Sequence, residues 1–523
     1  MEKQVNVSKD KFVFVNNSNK IHDKELVTKP IGYFKDAFNR FKRNKGSIVA
    51  AFIILFLVLF ALIVPIATPY TVSYNDNYYA YSQPEIPLFS NLGIDFMDGC
   101  KEVQSPKETY YLHYAIGQET GELAIKDNEY SVEKVTLPSK VEVDRYVYRL
   151  DSVHSTGVVF MNLGIPEYEA IQRYQDEHNV QIIYPITTTS LRPKASQDVK
   201  NANYWYATDF VAGKTQAKDV TINASTGELK FKNIYKKYSG NDGYFSKMRT
   251  EDGKKYDYAE VKQGGNAVEV RVHYYQYYKY YHQEVLKDRI KEPVFIFGTD
   301  NLGKDIFTCL ASGARFSFIL AIVVATVNLI VGAIYGAIEG YYGGKIDLMM
   351  ERFVEILSAV PFMIVITLLK YHMKGSNQVL ILFIAFFLTG WIGMAGRTRM
   401  QFYRFKNQEY VLASRTLGAK DLRIMFKHIF PNALGTLITS CVLVIPGMIF
   451  SETSLSYLGI INLSTGSMTS VGTLLANGQA FLTTYPYMVV SPAIFISLLM
   501  LSFNLFGNGL RDAFNPSLRG SED

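Results

Sequence analysis

The chain has 523 residues, 54 of them Lys or Arg and 48 Asp or Glu, for a formal net charge of +6. Hydrophobic residues make up 48% and mean hydropathy is +0.03, averages that a soluble enzyme would also show. Their distribution excludes a simple globular enzyme, a disordered chain and a fibrous one: apolar residues gather into six runs of roughly 20, each long enough to cross a hydrocarbon core about 30 Å thick. About 225 polar residues separate the first run from the second. This pattern predicts a polytopic membrane protein with an all-α membrane part of six transmembrane helices and one inserted α+β extracellular domain.

Residues 1–45 read as a cytoplasmic N-terminal segment. Its end carries Lys35, Arg40, Lys42, Arg43 and Lys45, a basic flank that holds a terminus on the cytoplasmic side. Phe34, Phe38 and Phe41 recur at helical spacing, so this flank is expected to form an amphipathic helix along the inner interface. The first span, 46–67, is too long for the apolar core of a signal peptide, and no small-residue cleavage site follows; it reads as an uncleaved anchor.

Residues 71–297 differ in composition, rich in Tyr, Lys, Asp and Val. One helix is expected over 166–179, with Pro166 in its first turn and a strand at 180–184 after it. The stretch 220–232 reads as a hairpin turning near Gly227, and Val268-Glu269-Val270-Arg271-Val272 alternates as a half-buried strand does. Asn223-Ala224-Ser225 matches a glycosylation sequon, too short and common a motif to carry weight. The run Tyr274-Tyr275-Gln276-Tyr277-Tyr278-Lys279-Tyr280-Tyr281 has two readings. It is an aromatic platform for a peptide or sugar, or, favoured about three to one, a strand or a membrane-leading helix whose tyrosines fill a core or sit at the headgroups.

The remaining spans fall at 316–337, 353–371, 379–396, 433–455 and 487–509. The loop after the fourth holds Arg397, Arg399, Arg404, Lys406, Arg415, Lys420, Arg423 and Lys427, whereas 456–486 contains no Lys or Arg. With both termini cytoplasmic and 71–297 outside, the positive-inside rule is satisfied throughout. Pro361 and Pro446 are expected to kink their helices, and Gly393 and Gly396 to allow close helix approach. Asn328, Glu355, Thr367, Glu452 and Asn504 are polar groups within or beside spans and hence candidates for lining a pore, although Glu355 and Glu452 lie near span ends and can instead reach the interface. Cys100, Cys309 and Cys441 are far apart and form no CxxC pair, which argues against a disulfide framework or a metal site; the basic residues sit beside spans and give no sign of nucleic-acid binding.

Between the fourth and fifth spans, residues 409–432 read as two short helices. Tyr410, Val411, Ala413, Ser414 and Leu417 suit the first, Gly418 ends it, and Asp421 favours the start of the second. Leu422, Met425, Phe426 and Ile429 would form an apolar stripe, and Pro431 would terminate that helix. On periodicity alone, packing at the inner surface explains this elbow about twice as well as any partner does.

This segment resembles the EAA loop of importer-type ABC permeases, in which a Gly is followed by a Pro thirteen residues later, as Gly418 and Pro431 are; Leu412-Ala413-Ser414 stands where Glu-Ala-Ala is usual. Phe297-Gly298-Thr299-Asp300-Asn301-Leu302-Gly303-Lys304-Asp305 with Ser312-Gly313-Ala314-Arg315 is similar to a signature of the peptide-importer branch, with Lys304 in place of Arg. Gly340-Tyr341-Tyr342-Gly343-Gly344-Lys345-Ile346-Asp347, Ser454-Leu455-Ser456-Tyr457-Leu458-Gly459 and Gly507-Asn508-Gly509-Leu510-Arg511-Asp512 also match, in the expected order. The resemblance covers about 46–70 and 295–516 and leaves the long insertion outside the usual pattern. It implies the importer-type ABC permease fold, with a permease core at 298–510, a cytoplasmic tail at 511–523, and the C-type permease subunit of an oligopeptide or dipeptide importer in a bacterial cell membrane. A second homologous permease, two cytoplasmic ABC ATPases, an external substrate-binding lipoprotein, a peptide substrate and membrane lipid would be its partners. Ala413, Ser414, Arg415, Gly418, Ala419, Lys420, Asp421, Arg423 and Pro431 would couple it to those ATPases. The chain contains no GxxxxGK[ST] motif, so it would bind no cofactor and perform no catalysis itself, with ATP and Mg on the ATPase subunits. The competing readings are a secondary transporter and a ligand-sensing membrane receptor using the external domain.

Overall fold

The computed structural model describes residues 33–184, 267–463 and 468–514, together with short strand segments between 208 and 261. The basic flank forms helix α1 (Tyr33–Arg43), which buries Ala37 and Phe41 against Phe506, Leu510 and Ala513; Phe38 stays exposed with the Lys42 ammonium 4.6 Å from its ring centre. Helix α2 (Lys45–Ala67) starts where the Asn44 side chain accepts a bond from the Ser47 amide. Leu57 and Ala61 face the other helices while Phe52, Phe56 and Ile66 stay exposed, as befits a helix with one face toward lipid.

The segment between α2 and the second span contains α3 (Pro87–Asn91), α4 (Lys107–Thr120), α5 (Ile165–His178) and α6 (Tyr274–Tyr280). In one antiparallel sheet the strand Glu142–Asp151 lies between Cys100–Ser105 and Ser131–Thr136. In a second, Ala267–His273 pairs antiparallel with Val158–Gly164, Ala259–Val261 and Ile183–Tyr184, so the last part of this long segment closes on its middle. The helix expected over 166–179 and the strand at 268–272 are present; the strand at 180–184 shrinks to its last two residues. Val220–Ile222 pairs with Leu229–Phe231 as the hairpin requires, whereas its turn and the sequon at 223–225 lie outside the described residues.

The tyrosine run is helical and continues into a π-helical turn, Tyr281–Leu286. Tyr274, Tyr277, Tyr278 and Tyr280 are buried in one cluster with Tyr79, Tyr168, Val270 and Phe295, so core formation accounts for most of the run. Nearby, burial pushes the Glu85 carboxyl up to about 7, with the Asp151 and Asp98 carboxylates adding to the effect. The folded chain therefore holds a proton on Glu85 that the unfolded chain releases above the ordinary glutamate range. Its stabilising contribution is complete at low pH and is lost as pH rises through about 7. Glu85→Gln is expected to raise the melting midpoint of the purified chain at pH 8, on the order of 2–4 °C, and to leave it unchanged at pH 5. Melting curves at the two pH values check this.

The membrane part consists of α7 (Ile306–Tyr342), α8 (Gly344–Ser358), α9 (Phe362–His372), α10 (Gln378–Gly390), α11 (Ile392–Phe405), α12 (Glu409–Thr416), α13 (Asp421–Arg423), α14 (Phe430–Tyr457), α15 (Val471–Gln479) and α16 (Tyr487–Phe514). Among the described residues, five helices are long and apolar enough to cross a membrane: α2, α7, α10 with α11, α13 with α14, and α16. The span expected at 353–371 is not one helix; α8 and α9 meet at 70° across a break that ends in Pro361. Proline disfavours the helical conformation of the residue before it and donates no amide hydrogen bond, which is the physical cause of the break.

The two ends of this pair lie on opposite faces of the bundle. Asp347 of α8 binds Arg399 beside the C-terminal end of α7, and Lys370 of α9 donates to the Ile460 carbonyl just beyond α14. Taken as one bent span, α8 and α9 supply the sixth crossing. Pro446, by contrast, sits within the continuous α14.

Close helix approach also occurs at different glycines from those expected. A side chain at Gly393 or Gly396 would meet nothing within 4 Å. Gly332, Gly336 and Gly340, one per turn along α7, instead lie against α11, where a Cβ would collide with Trp391, Ala395 and Arg399 backbone atoms.

Candidate functional site

The elbow between α11 and α14 is built from α12, a tight turn and α13. Gly418 adopts φ +80°, a left-handed conformation that costs a residue with a side chain about 1–2 kcal/mol. In this turn the Leu417, Gly418 and Ala419 amides donate to the Ala413, Arg415 and Ser414 carbonyls at 3.1, 3.0 and 3.1 Å, closing α12 as a glycine C-cap does. Val411, Ile424, Met425 and Ile429 are buried together with Ala337 and Tyr341 of α7 and Phe402 of α11. Beneath the elbow, then, lies a small apolar core shared with two membrane helices.

Two expectations change here. Pro431 does not terminate the second helix: α13 runs through a π-helical turn, Ile424–Ile429, into α14, and Pro431 lies inside this continuous helix just after that turn. The π-helical turn also rotates the apolar stripe. Met425 and Ile429 are buried as expected, but Leu422 and Phe426 are exposed and Ile424 takes the inner position.

Leu417 is 87% exposed and Leu422 68%; Leu412 and Phe426 are also open, and they are flanked by exposed Ala413, Arg415, Gly418, Lys420, Asp421, Arg423 and Pro431, with Ser414 and Ala419 half-covered. The elbow thus presents an apolar tip ringed by cations.

A set of polar contacts fixes this tip to the bundle. The Tyr341 hydroxyl donates to Asp421 at 2.6 Å, and the Arg415 guanidinium lies over the Tyr341 ring and donates to its hydroxyl at 3.4 Å. One turn deeper, Arg399 donates to Asp347 at 2.7 Å and to Glu351 at 2.9 Å, with Glu339 at 3.4 Å and the Tyr403 hydroxyl also on Asp347. The Lys406 ammonium donates to the Gly340 carbonyl at 3.0 Å. The Gly340-to-Asp347 block is therefore the fixture that locks α7 and α8 to α11 and to the elbow. Sequence reading counted Arg399 only as an orientation marker; the carboxylate ending that block was the available sign that it had a partner.

The five polar candidates in the spans divide into two groups. Asn328 is 3% exposed, occupies the space left by the missing side chain of Gly390, and donates to the Phe386 carbonyl at 3.4 Å. Glu452 is 1% exposed and accepts from the Ser317 and Ser456 hydroxyls at 2.8 and 3.1 Å, so it does not reach the interface as its position near a span end suggested. Glu355, Thr367 and Asn504 lie on the bundle surface, Glu355 paired with Arg352 at 2.5 Å.

On the opposite face, the Phe297-to-Asp305 block forms a turn. The Asp300 carboxylate accepts from the Leu302 and Lys304 amides at 2.8 and 2.9 Å, and Asp305 caps α7 through the Thr308 amide at 2.9 Å.

Residues 328–520 match the model of the binding-protein-dependent transport system inner membrane component, and residues 32–84 match that of the N-terminal transmembrane domain of oligopeptide transport permease C. The oligopeptide transport system permease protein OppC of Bacillus subtilis (strain 168) is 45% identical over 224 residues, 43% of this chain and 72% of that protein. The chain belongs to this family of binding-protein-dependent transport permeases. The dipeptide permease DppC of the same organism is 41% identical over 224 residues, covering 43% of this chain and 69% of the relative. A solved chain of the MetNI methionine ABC transporter aligns with 40% of this chain and 96% of its own at TM-score 0.31 and 15% identity, too slight a likeness to bear on the fold. As a member of the family the chain is a multi-pass membrane permease subunit with a role in a translocation pathway, and its relatives are permease proteins of oligopeptide and dipeptide transport systems. Residues 85–327 lie outside both matched segments.

Proposed function

We propose that this permease forms half of the pathway through which an ATP-driven importer admits oligopeptides or dipeptides. The elbow 409–432 transmits the movement of a cytoplasmic ATPase to α14 and α7. The observation that carries this is the elbow itself: its apolar tip is exposed while its base is fixed to α7 and α11 by Val411, Ile424, Met425, Tyr341 and Asp421. A surface of that kind gains by docking, since each leucine removed from water contributes about 1.5–3 kcal/mol. Because α13 continues into α14 without a terminator, a push on the elbow acts on a rod that crosses the whole bundle.

In this reading Leu417, Leu422, Ala413 and Ser414 enter a groove on the ATPase, while Arg415, Lys420 and Arg423 meet its acidic rim. Hydrolysis, ATP and Mg belong to two ATPase subunits, and a second permease completes the pore. An external binding lipoprotein delivers the peptide. The elbow face is cytoplasmic, by the cations between α11 and α14, and the 71–297 segment is external. Glu355, Thr367 and Asn504, being on the bundle surface, are the polar groups a partner permease or a passing peptide can reach; Asn328 and Glu452 hold the wall from within. Peptide cargo is supported by the relatives, which transport oligopeptides and dipeptides by name.

Co-expression with the candidate partner permease and ATPases, followed by a pull-down from mild detergent and mass spectrometry, tests the assembly. Recovery of all the subunits with ATP hydrolysis is the expected result. A chain that purifies alone from membranes containing those partners would contradict it.

A further inference from the structure

A cavity of about 800 Å³ lies between residues 73–78, just beyond α2, and the helical run from Tyr274 to Leu286. Its 73–78 wall lies within the matched segment 32–84, and its remaining walls lie outside both matched segments. Its position is tied to the Phe297-to-Asp305 block: the Asp76 amide donates to the Leu302 carbonyl at 3.2 Å, and Gly303 lies so close to the Asp76 backbone that any side chain there would collide. The cavity therefore rests directly on the turn that starts α7, on the face opposite the elbow.

Tyrosines form much of its wall, and four of their hydroxyls are already engaged. Tyr274 donates to Asp76 at 2.7 Å, Tyr277 donates to Glu167 at 2.9 Å, and Tyr74 and Tyr278 share a hydrogen bond of 2.9 Å. Tyr274, Tyr277 and Tyr278 are nearly buried, so the ring surface open to a ligand is chiefly that of the half-buried Tyr74, Tyr78 and Tyr281. Tyr277 and Tyr281 stack with centres 5.7 Å apart, and Tyr78 and Tyr274 lie at 4.3 Å.

Asp76 also lines the cavity. Its carboxylate accepts from the Tyr274 hydroxyl and, at 3.0 Å, from the Tyr78 amide, both neutral donors. Among the described residues no lysine or arginine forms an ion pair with it, and His282, which lines the same cavity, is engaged by Asp288 at 2.7 Å. Burial raises the Asp76 carboxyl above its ordinary range, against the lowering effect of its hydrogen bonds and of His282. A carboxylate beneath aromatic faces is the arrangement that binds organic cations. An anionic ligand would be repelled, and a purely apolar one would leave Asp76 further desolvated.

We infer that this cavity is a peptide subsite that holds a primary ammonium group on Asp76 between the tyrosine rings, at the external mouth of the pathway. The inference rests on the peptide-importer reading, and its size suits a short peptide segment. The ammonium has two sources, the free N-terminus or a lysine side chain.

Calorimetric titration of the full chain in detergent with three probes tests it: tetraalanine amide, N-acetyl-tetraalanine amide, and the same acetylated amide with one lysine. Binding of either ammonium-bearing probe at least about tenfold tighter than the neutral one is expected, and whichever does so identifies the source. Asp76→Asn should reduce that difference to within about twofold. Equal binding of all three probes by the unaltered chain would overturn the inference, and this comparison needs no variant to fold. Discrimination that survives in a folded Asp76→Asn chain would overturn it too. Uptake by the assembled, unaltered transporter separates the two levels: peptide uptake without ammonium discrimination in the titrations removes the subsite alone, whereas uptake of no peptide at all removes the proposed function.

Discussion

A chain carrying both Leu417→Arg and Leu422→Arg is expected to fold and insert as before but to support peptide uptake at no more than about a tenth of the unaltered rate when assembled. Both side chains are largely in water, 87% and 68% exposed, so the chain's own fold does not depend on them. In a docked elbow each would be buried, and the two leucines together would contribute roughly 3–6 kcal/mol. Arginines in their place lose that contribution and must be desolvated as well. Uptake and ATP hydrolysis of the assembled transporter, measured beside the melting midpoint of the chain alone, separate docking from folding. Gly418→Val gives a second view. There is open space around Gly418, so the cost comes from the left-handed backbone, which a β-branched residue resists. It should impair coupling by changing the angle between α12 and α13 while leaving the apolar tip chemically intact. Unchanged coupling in the double arginine variant would remove the elbow as the docking surface.

Gly336→Leu is expected to abolish the folded chain, whereas Gly393→Leu is expected to be tolerated. A Cβ at Gly336 would meet the Ala395 carbonyl at 2.1 Å, a backbone atom that cannot rotate away, and the glycines one turn before and after it on α7 make further close approaches, at 2.7 Å. Overpacking of a core by a few methylenes costs about 1–3 kcal/mol, and here two helix backbones would have to separate. The same movement would disrupt the Arg399 contacts to Asp347 and Glu351. Gly393 has nothing within 4 Å of its Cβ position. Fluorescence-detected size exclusion of tagged variants checks the contrast: aggregated Gly336→Leu and monodisperse Gly393→Leu are the predicted profiles.

The reading of the sequence succeeded where the physical constraint is local. A hydrocarbon core demands continuous apolar helix, so five of the six spans could be read from apolar length alone. Gly418 marks a helix end because few other residues take its backbone angle. Errors came where the outcome depends on distant partners. Glu452 is buried because Ser317, 135 residues earlier, supplies a hydroxyl, and nothing near Glu452 in the chain announces this. Pro431 was read as a terminator because the wider register of a π-helical turn leaves no simple periodic trace; the same turn moved Leu422 and Phe426 to the outside. Pro361 was expected to kink a span, and the observed 70° break is that effect at full strength. In the tyrosine run, Tyr274, Tyr277, Tyr278 and Tyr280 fill a core, as the favoured reading of the sequence expects. The cavity on its other side depends on Asp76 meeting Tyr274 across 198 residues, a juxtaposition that only the fold makes visible.

The central claim is that this chain conducts peptide under the control of ATPases bound at the elbow. The most direct measurement is uptake of a radiolabelled peptide into proteoliposomes containing the full assembly, with ATP sealed inside or outside and the binding lipoprotein supplied on the opposite side. Transport of peptide toward the ATP-containing compartment, lost in the double arginine variant, is the predicted result. Uptake that needs no ATP, or that persists unchanged in that variant, would contradict the account.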